Sequence, residues 1–124
     1  MGKFAKLAMV DVADTFGKTV REAALDLDQR IVLKTPVDTG RARSNWLVGL
    51  GAPMRRVRNT IDQGGGKTIA ENARVIARQK RFQSIWISNN LPYIRELENG
   101  TSKQAPAGMV RQSVNETIRV FRNR

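Results

Sequence analysis

The segment of residues 88–111 limits the fold more than any other part of the chain, because asparagine, proline and glycine stand at each of its junctions. Two asparagines follow an apolar run and mark the end of a strand. Pro92 suits the first turn of a short helix, and Gly100 suits its C-terminal cap. Pro106 then suits the start of another helix. The segment therefore predicts a fold of short, mixed elements.

Apolar periodicity predicts the other elements. Residues 11–34 carry apolar side chains at intervals of three or four, which is typical of an amphipathic helix, and Pro36 ends it. Residues 44–50 and 83–88 are predicted strands, and the second of them alternates apolar and polar side chains. Helical spacing returns in residues 67–80.

The stretch of residues 51–66 shows neither the apolar spacing of a helix nor the alternation of a strand, and it contains several glycines and a basic run. We expect a mobile loop or a loose hairpin there.

After Pro106 a further stripe of apolar residues at helical spacing predicts the last helix. The sequence thus predicts one domain, residues 1–124, of the α+β class. A long N-terminal helix and a C-terminal helix would pack on a small, mainly antiparallel sheet, with a flexible basic loop.

The composition excludes several kinds of site. The chain of 124 residues has 22 Lys and Arg against 11 Asp and Glu, and neither cysteine nor histidine. Disulfides, thiolate nucleophiles, the usual zinc ligands and histidine acid–base chemistry are therefore excluded. No apolar run reaches the roughly 20 residues of a membrane span, and the N-terminus resembles no targeting signal. We expect a protein outside the membrane.

A glycine-rich run before a lysine invites comparison with phosphate-binding loops. The run is Gly64-Gly65-Gly66-Lys67-Thr68. A phosphate-binding loop needs another glycine where Ile61 stands, and a buried strand before it. The residues before this run are basic and polar instead. We predict a hinge before a helix.

The carboxylates offer no catalytic pair. Asp26 with Asp28, and Glu96 with Glu98, stand two residues apart on predicted helices, so their side chains point to different faces. We therefore predict neither an enzyme nor a cofactor.

The positive charge is concentrated in the middle of the chain. Residues 1–40 have no net charge, residues 41–95 have eleven basic against two acidic side chains, and residues 96–124 have a net charge of +2. Six arginines are the candidate basic site: Arg55, Arg56, Arg58, Arg74, Arg78 and Arg81. The last three fall on one face of a helix. Such a surface suits a phosphate backbone contacted without base readout. The alternative is a solvated face with salt bridges to an adjacent subunit.

Three segments resemble siphophage tail-completion, or head–tail joining, proteins, a family also described as minor tail protein Z-like. They are residues 35–46, 87–94 and 97–110, and their order and spacing also match. The residues that carry the resemblance are Pro36, Asp38, Gly40, Arg41, Trp46, Asn89, Asn90, Pro92, Tyr93, Glu98, Gly100, Pro106 and Gly108.

The resemblance implies a structural virion protein without cofactor or catalytic residues. Such proteins assemble in the host cytoplasm as a ring, commonly of six subunits, at the top of the tail tube. The ring lies in the neck, between the tail terminator or tail tube protein and the head-completion or connector proteins. Double-stranded DNA passes through its lumen. The alternative is a free basic protein that binds duplex nucleic acid without sequence specificity.

The residues of the motif also suggest local roles. Asn89 and Asn90 are expected to satisfy backbone groups where the strand ends. Trp46, Trp86 and Tyr93 are expected to fill the core between sheet and helices, unless one of them anchors a subunit contact.

Two roles remain open for Glu98. It either pairs with Arg41 or Arg43, within the chain or across an interface, or it is an exposed charge of little energetic consequence.

Overall fold

The computed structural model describes residues 9–11, 20–37, 39–80, 82–99 and 108–122. These residues form an α+β fold, which confirms the class predicted from the sequence. The elements in chain order are β1 (Met9–Asp11), α1 (Val20–Lys34), α2 (Arg41–Ser44), β2 (Leu47–Leu50), α3 (Gly66–Ile76), β3 (Ile85–Ser88), α4 (Ile94–Asn99) and α5 (Met109–Arg122).

The three strands form one antiparallel sheet in the order β1-β3-β2. The central strand, β3, places Ile87 opposite Val10 on one side and Val48 on the other. Ile85 and Ile87 are fully buried, whereas Trp86 between them is half-buried. The alternation read from the sequence therefore describes β3 correctly.

Helix α1 forms the centre of the helical layer, where it packs against α3, α5 and β3. Ala23, Ala24, Leu27 and Ile31 are fully buried at helical spacing. The predicted helix is thus confirmed from residue 20, but its predicted start is wrong. Asp11 lies in β1, where it is paired with Trp86 of β3; residues 12–19 lie outside the described part of the chain.

The strand predicted for residues 44–50 begins later than expected. The chain first makes the short helix α2. At its end the N–H of Asn45 donates to the carbonyl of Ala42 (3.2 Å), and the N–H of Trp46 donates to the carbonyl of Arg43 (3.5 Å). Extended pairing with β3 begins only at Leu47. These local hydrogen bonds at the end of α2 take the place of the strand pairing that was predicted for residues 44–46.

Two further helices cover the body. Helix α3 contacts α1 and β2 and ends at Ile76, four residues before the predicted end, in a turn through Arg78. Helix α5 packs on α1 and buries Met109, Val110, Ser113 and Thr117. The core therefore lies between α1 and its neighbours, and its largest fully buried side chain is that of Trp46.

Candidate functional site

Residues 54–62, which we call the pinned segment, run along the body of the protein. The chain makes no helix, strand, turn or bend over these residues, and its backbone bonds to the body at every second residue, as an extended chain does. The carbonyl of Met54 accepts hydrogen bonds from Ser88 Oγ (3.0 Å) and Asn90 Nδ2 (2.8 Å). The carbonyl of Arg56 accepts a second bond from the same amide of Asn90, at 3.1 Å. Side chains at the end of β3 thus hold the first half of the segment.

Side chains next to α2 hold the second half. Asn45 Nδ2 donates to the carbonyl of Arg58 (3.0 Å), and the N–H of Arg58 donates to Asn45 Oδ1 (2.7 Å). Ser44 Oγ donates to the carbonyl of Thr60 at 2.5 Å. Backbone groups of every second residue therefore bond to the body, as expected for an extended chain whose successive backbone groups point to opposite sides.

The segment ends against Gly40. The N–H of Asp62 donates to the carbonyl of Gly40 at 3.0 Å. Gly40 has φ of +90°, and a Cβ there would lie 2.6 Å from the backbone nitrogen of Gln63. Only glycine fits this position, because a side chain would both strain the backbone and displace the segment. The sequence predicted a turn at Gly40 but not this close approach.

Asp62 caps the start of α3. Its carboxylate accepts the N–H of Gly65 (3.1 Å) and both the N–H (2.7 Å) and the hydroxyl (2.8 Å) of Thr68. Partial burial raises the pKa of Asp62, but these hydrogen bonds and nearby Lys67 outweigh it and hold the pKa below its ordinary value. A carboxylate thus occupies the helix start where a phosphate-binding loop would place phosphate, which agrees with the rejection of that motif from the sequence.

Arg58 joins the pinned segment to α3 through an ion pair. Its Nη1 lies 2.7 Å from Glu71 Oε2. Arg56 is two residues away on the extended chain, so it lies on the same face of the segment as Arg58. Arg74 follows Glu71 at helical spacing on α3 and extends this surface. Arg78 was predicted on the same helix, but it lies in the turn just after Ile76, where α3 ends. We call Arg56, Arg74 and Arg78, all exposed, the arginine surface.

The six candidate arginines are therefore not equivalent. Arg58 is neutralised by Glu71, and Arg55 points to the opposite face of the extended segment. Arg81 lies outside the described residues. Within the described part of the chain, the side chains of Arg55, Arg56, Arg74 and Arg78 make neither a hydrogen bond nor an ion pair. These four cations remain available to a partner.

The two asparagines after β3 satisfy backbone groups, as predicted. Asn89 is buried, donates to the carbonyl of Ala42 (3.0 Å) and accepts the N–H of Leu91 (3.1 Å). Asn90 holds the pinned segment. Both amides therefore have a positioning function for other parts of the chain.

The aromatic residues divide between core and surface. Trp46 is fully buried, and its Nε1 donates to Thr35 Oγ1 at 2.8 Å. Trp86 is half-buried and donates to Ser84 Oγ at 3.0 Å. The core position predicted for Tyr93 is wrong, since 38% of this residue is exposed. It follows the exposed Pro92 just before α4.

Glu98 has neither of the two roles considered from the sequence. It is buried, and its carboxylate accepts the N–H groups of Val110 (2.9 Å) and Arg111 (3.4 Å) at the start of α5. Its carbonyl accepts the N–H of Gly108 at 2.7 Å, and Gly108 has φ of +83°. Glu98 thus caps α5 from the preceding helix, a contact favoured by the helix dipole.

The other residues of the motif have diverse positions. Pro36 is buried two residues after the end of α1. Arg41 begins α2, and its Nε is buried without a hydrogen-bond partner in the described structure. Arg43 instead donates to three carbonyls, those of Leu33, Thr35 and Gln63. The predictions for Asp38, Gly100 and Pro106 fall outside the described residues.

A buried carboxyl group on α1 was missed at the sequence level. Asp28 is 1% exposed, and Asn72 Nδ2 of α3 lies 3.0 and 3.2 Å from its two oxygens. The same amide donates to the carbonyl of Trp46 at 2.9 Å. Burial raises the pKa of Asp28 to about 7, against the opposing effect of the Asn72 hydrogen bond. Its signal was its place next to Leu27, within the apolar stripe of α1.

Neither a metal site nor a membrane helix is found in the described ranges. No group of three or more acidic side chains there is arranged to hold a metal ion. Among the helices described, each is too short or too polar to cross a membrane.

Comparison with known proteins gives one match. A protein-family model described as "Bacteriophage HK97-gp10, putative tail-component" matches residues 1–100, most of the chain. No curated protein and no solved structure matches. The matched span includes the pinned segment, the arginine surface and Glu98. The chain belongs to the HK97-gp10-like family of bacteriophage tail components.

Proposed function

We propose that this tail component completes the tail and joins it to the head. In the proposed assembly, copies of the chain form a ring, of six subunits as in the proteins it resembles, at the top of the tail tube. Its partners are the tail terminator or tail tube protein on one side and the head-completion or connector proteins on the other. Double-stranded DNA passes through the lumen in the neck of the virion. The proposal assigns no catalytic residue and no cofactor.

The arginine surface is the observation that carries this proposal. Arg56, Arg74 and Arg78 are exposed, and the two acidic side chains of residues 41–95, Asp62 and Glu71, are already engaged. The net charge of +9 in residues 41–95 is therefore not cancelled locally. Arginines that contact phosphate and read no bases suit a duplex that moves through the lumen, because the phosphate backbone is the same at every position of the genome.

The proposed mechanism is geometric. Contacts with phosphate are screened by salt and carry no sequence information, so they bias where the duplex lies without holding it in place. Tight binding would oppose ejection of the genome. We therefore expect weak DNA contacts that depend on salt.

A reconstruction of the intact virion tests the location and the ring. We expect density for this chain as a closed ring in the neck, with Arg74 and Arg78 of each subunit facing the lumen. Density elsewhere in the particle would overturn the head–tail joining proposal. A neck ring whose arginine surface faces bulk solvent would overturn the DNA contact alone.

Salt titration with duplex DNA tests the electrostatic part. We expect the double variant R74A/R78A to reduce the slope of log affinity against log salt by about 2, or about one per lost phosphate contact. R111A/R122A, which removes the same charge from α5, should leave the slope nearly unchanged. Equal effects of the two variants would show that only net charge matters. Tight complexes of the isolated monomer at physiological salt would favour the alternative, a free nucleic-acid-binding protein.

A further inference from the structure

The pinned segment bonds to the body along one edge only. In the described structure, the backbone N–H and C=O groups of Arg55, Val57, Asn59 and Ile61 have no hydrogen-bond partner. These residues alternate with those that bond to Ser44, Asn45 and Asn90. Because successive backbone groups of an extended chain point to opposite sides, the unbonded groups point away from the body. We call these four residues the open edge.

The open edge has the geometry of an unpaired strand. A row of free N–H and C=O groups at two-residue spacing is a template for another extended chain. Strand addition of this kind obtains affinity from main-chain hydrogen bonds and specificity from alternate side chains. The fixed anchors at every second residue hold the open edge in position, which lowers the entropy lost when a partner binds.

The side chains on the open edge describe the partner. Val57 is 45% and Ile61 is 65% exposed, so one face of the segment offers apolar side chains, whereas the opposite face offers the cation of Arg56, which is unpaired in the described structure. Asp62 and Glu71, the only carboxylates in residues 41–95, are engaged elsewhere. A second copy would bring the same cations to this edge. Charge complementarity therefore favours an acidic chain of a different protein.

We propose that the open edge binds, by strand addition, an extended segment of another protein in which carboxylate and apolar side chains alternate. The partner's backbone bonds to the N–H and C=O groups of Val57 and Asn59. Its apolar side chains then face Val57 and Ile61, and its carboxylates, on the opposite face, pair with Arg56. This inference goes beyond the proposed function and does not depend on DNA binding or on ring formation. It requires only the geometry of residues 54–62.

Three short capped peptides serve as probes of the full chain. One alternates glutamate and valine, one alternates lysine and valine, and one repeats the triplet Glu-Pro-Pro, whose prolines remove N–H groups from both edges, so that this glutamate–proline peptide cannot form a continuous ladder. Titrations followed by NMR should show saturable binding of the first peptide alone. On binding, the amide protons of Val57, Asn59 and Ile61 should become protected from exchange at least tenfold. Equal binding of the glutamate–proline peptide, or no added protection, would overturn the proposal.

Proline variants test the backbone groups directly. V57P and N59P remove one outward N–H each and no hydrogen bond within the described structure, and extended backbone suits proline. We expect both to bind the glutamate–valine peptide at least tenfold more weakly, whereas N59A, which keeps its N–H, binds normally. Unchanged binding by folded V57P and N59P would overturn the proposal, as would self-association of the chain that protects the same amides. Should both variants unfold, amide protection in the unaltered protein still decides.

Discussion

Asp28 shows how much a single buried carboxyl group can influence this protein. It packs between α1 and α3, and Asn72 provides its hydrogen bonds. With a folded pKa of about 7 against an ordinary value of 3.8, the folded state binds a proton more tightly than the unfolded chain. The contribution of Asp28 to the stability of the fold is therefore largest below about pH 4. It falls as the pH rises toward 7 and then stays lower.

Replacing Asp28 with asparagine should remove this pH dependence. The difference between about 7 and 3.8 corresponds to on the order of 4 kcal/mol of unfolding free energy, which the D28N variant should no longer lose between pH 4 and 7. Urea unfolding at pH 4.5, 6 and 8 measures it. D62N is the control, because the pKa of Asp62 is lowered on folding. The stability that Asp62 contributes is complete above about pH 4 and is lost only at more acid pH, so D62N should keep the pH dependence of the unaltered protein between pH 4.5 and 8. Parallel pH profiles for D28N and the unaltered protein would contradict the assignment.

Glu98 should stabilise the protein through the start of α5. Its carboxylate is buried and accepts two backbone N–H groups, so E98A should lower the unfolding free energy by about 2–3 kcal/mol. E98Q keeps an acceptor oxygen and should lose about half as much. Thermal or urea unfolding measures both. E96A, on an exposed position of the same helix, provides the comparison, and a loss in E96A as large as that in E98A would argue against a special role for Glu98.

The pinned segment is an element that has no regular secondary structure. Its shape depends on Ser44, Asn45, Ser88 and Asn90, which are distant from it in sequence. The sequence predicted a mobile loop or a loose hairpin for residues 51–66, and no strand forms within residues 54–62, so the hairpin is not present there. Mobility of the loop stays a prediction, and the hydrogen bonds to the body favour an ordered segment over a mobile one.

Hydrogen exchange decides between these two descriptions. In an ordered segment the N–H of Arg58, bonded to Asn45 Oδ1, exchanges slowly, and N45A should accelerate it at least tenfold. The N–H of Asn59, which lacks a partner in the described structure, should exchange quickly in both proteins. N59A is the matched control, since this amide side chain is exposed and holds no backbone group. Fast exchange at Arg58 in the unaltered protein would support the mobile loop.

At the scale of the whole molecule, α5 completes the body although it lies beyond the matched family span, which ends at residue 100. Met109 and Val110 are buried, Thr117 donates to Asp26 of α1 at 2.8 Å, and Lys34 of α1 pairs with Glu116. The hydrogen bond with Lys34, together with nearby cations, lowers the pKa of Glu116 despite some desolvation. One face of α1 is therefore covered by α5.

Deleting α5 should prevent cooperative folding. A chain that ends at residue 100 exposes the apolar face of α1, and a small domain has little stability to spare. We expect loss of the cooperative thermal transition in circular dichroism and collapse of the NMR shift dispersion. Removal of residues 123–124 alone should have no such effect. A shortened chain that still unfolds cooperatively would show that α5 is an accessory element.

Local patterns determined much of this protein. The apolar stripe predicted α1 from residue 20, alternation predicted β3, and Pro92 marked the approach to α4, because these signals act through neighbouring residues. The uneven charge likewise identified the basic region. Only the tertiary structure decided that Arg58 is neutralised while Arg56, Arg74 and Arg78 are not, that Asp28 and Glu98 are buried, and that residues 54–62 are held in line. Each of these depends on contacts between residues far apart in the chain, which no local pattern records.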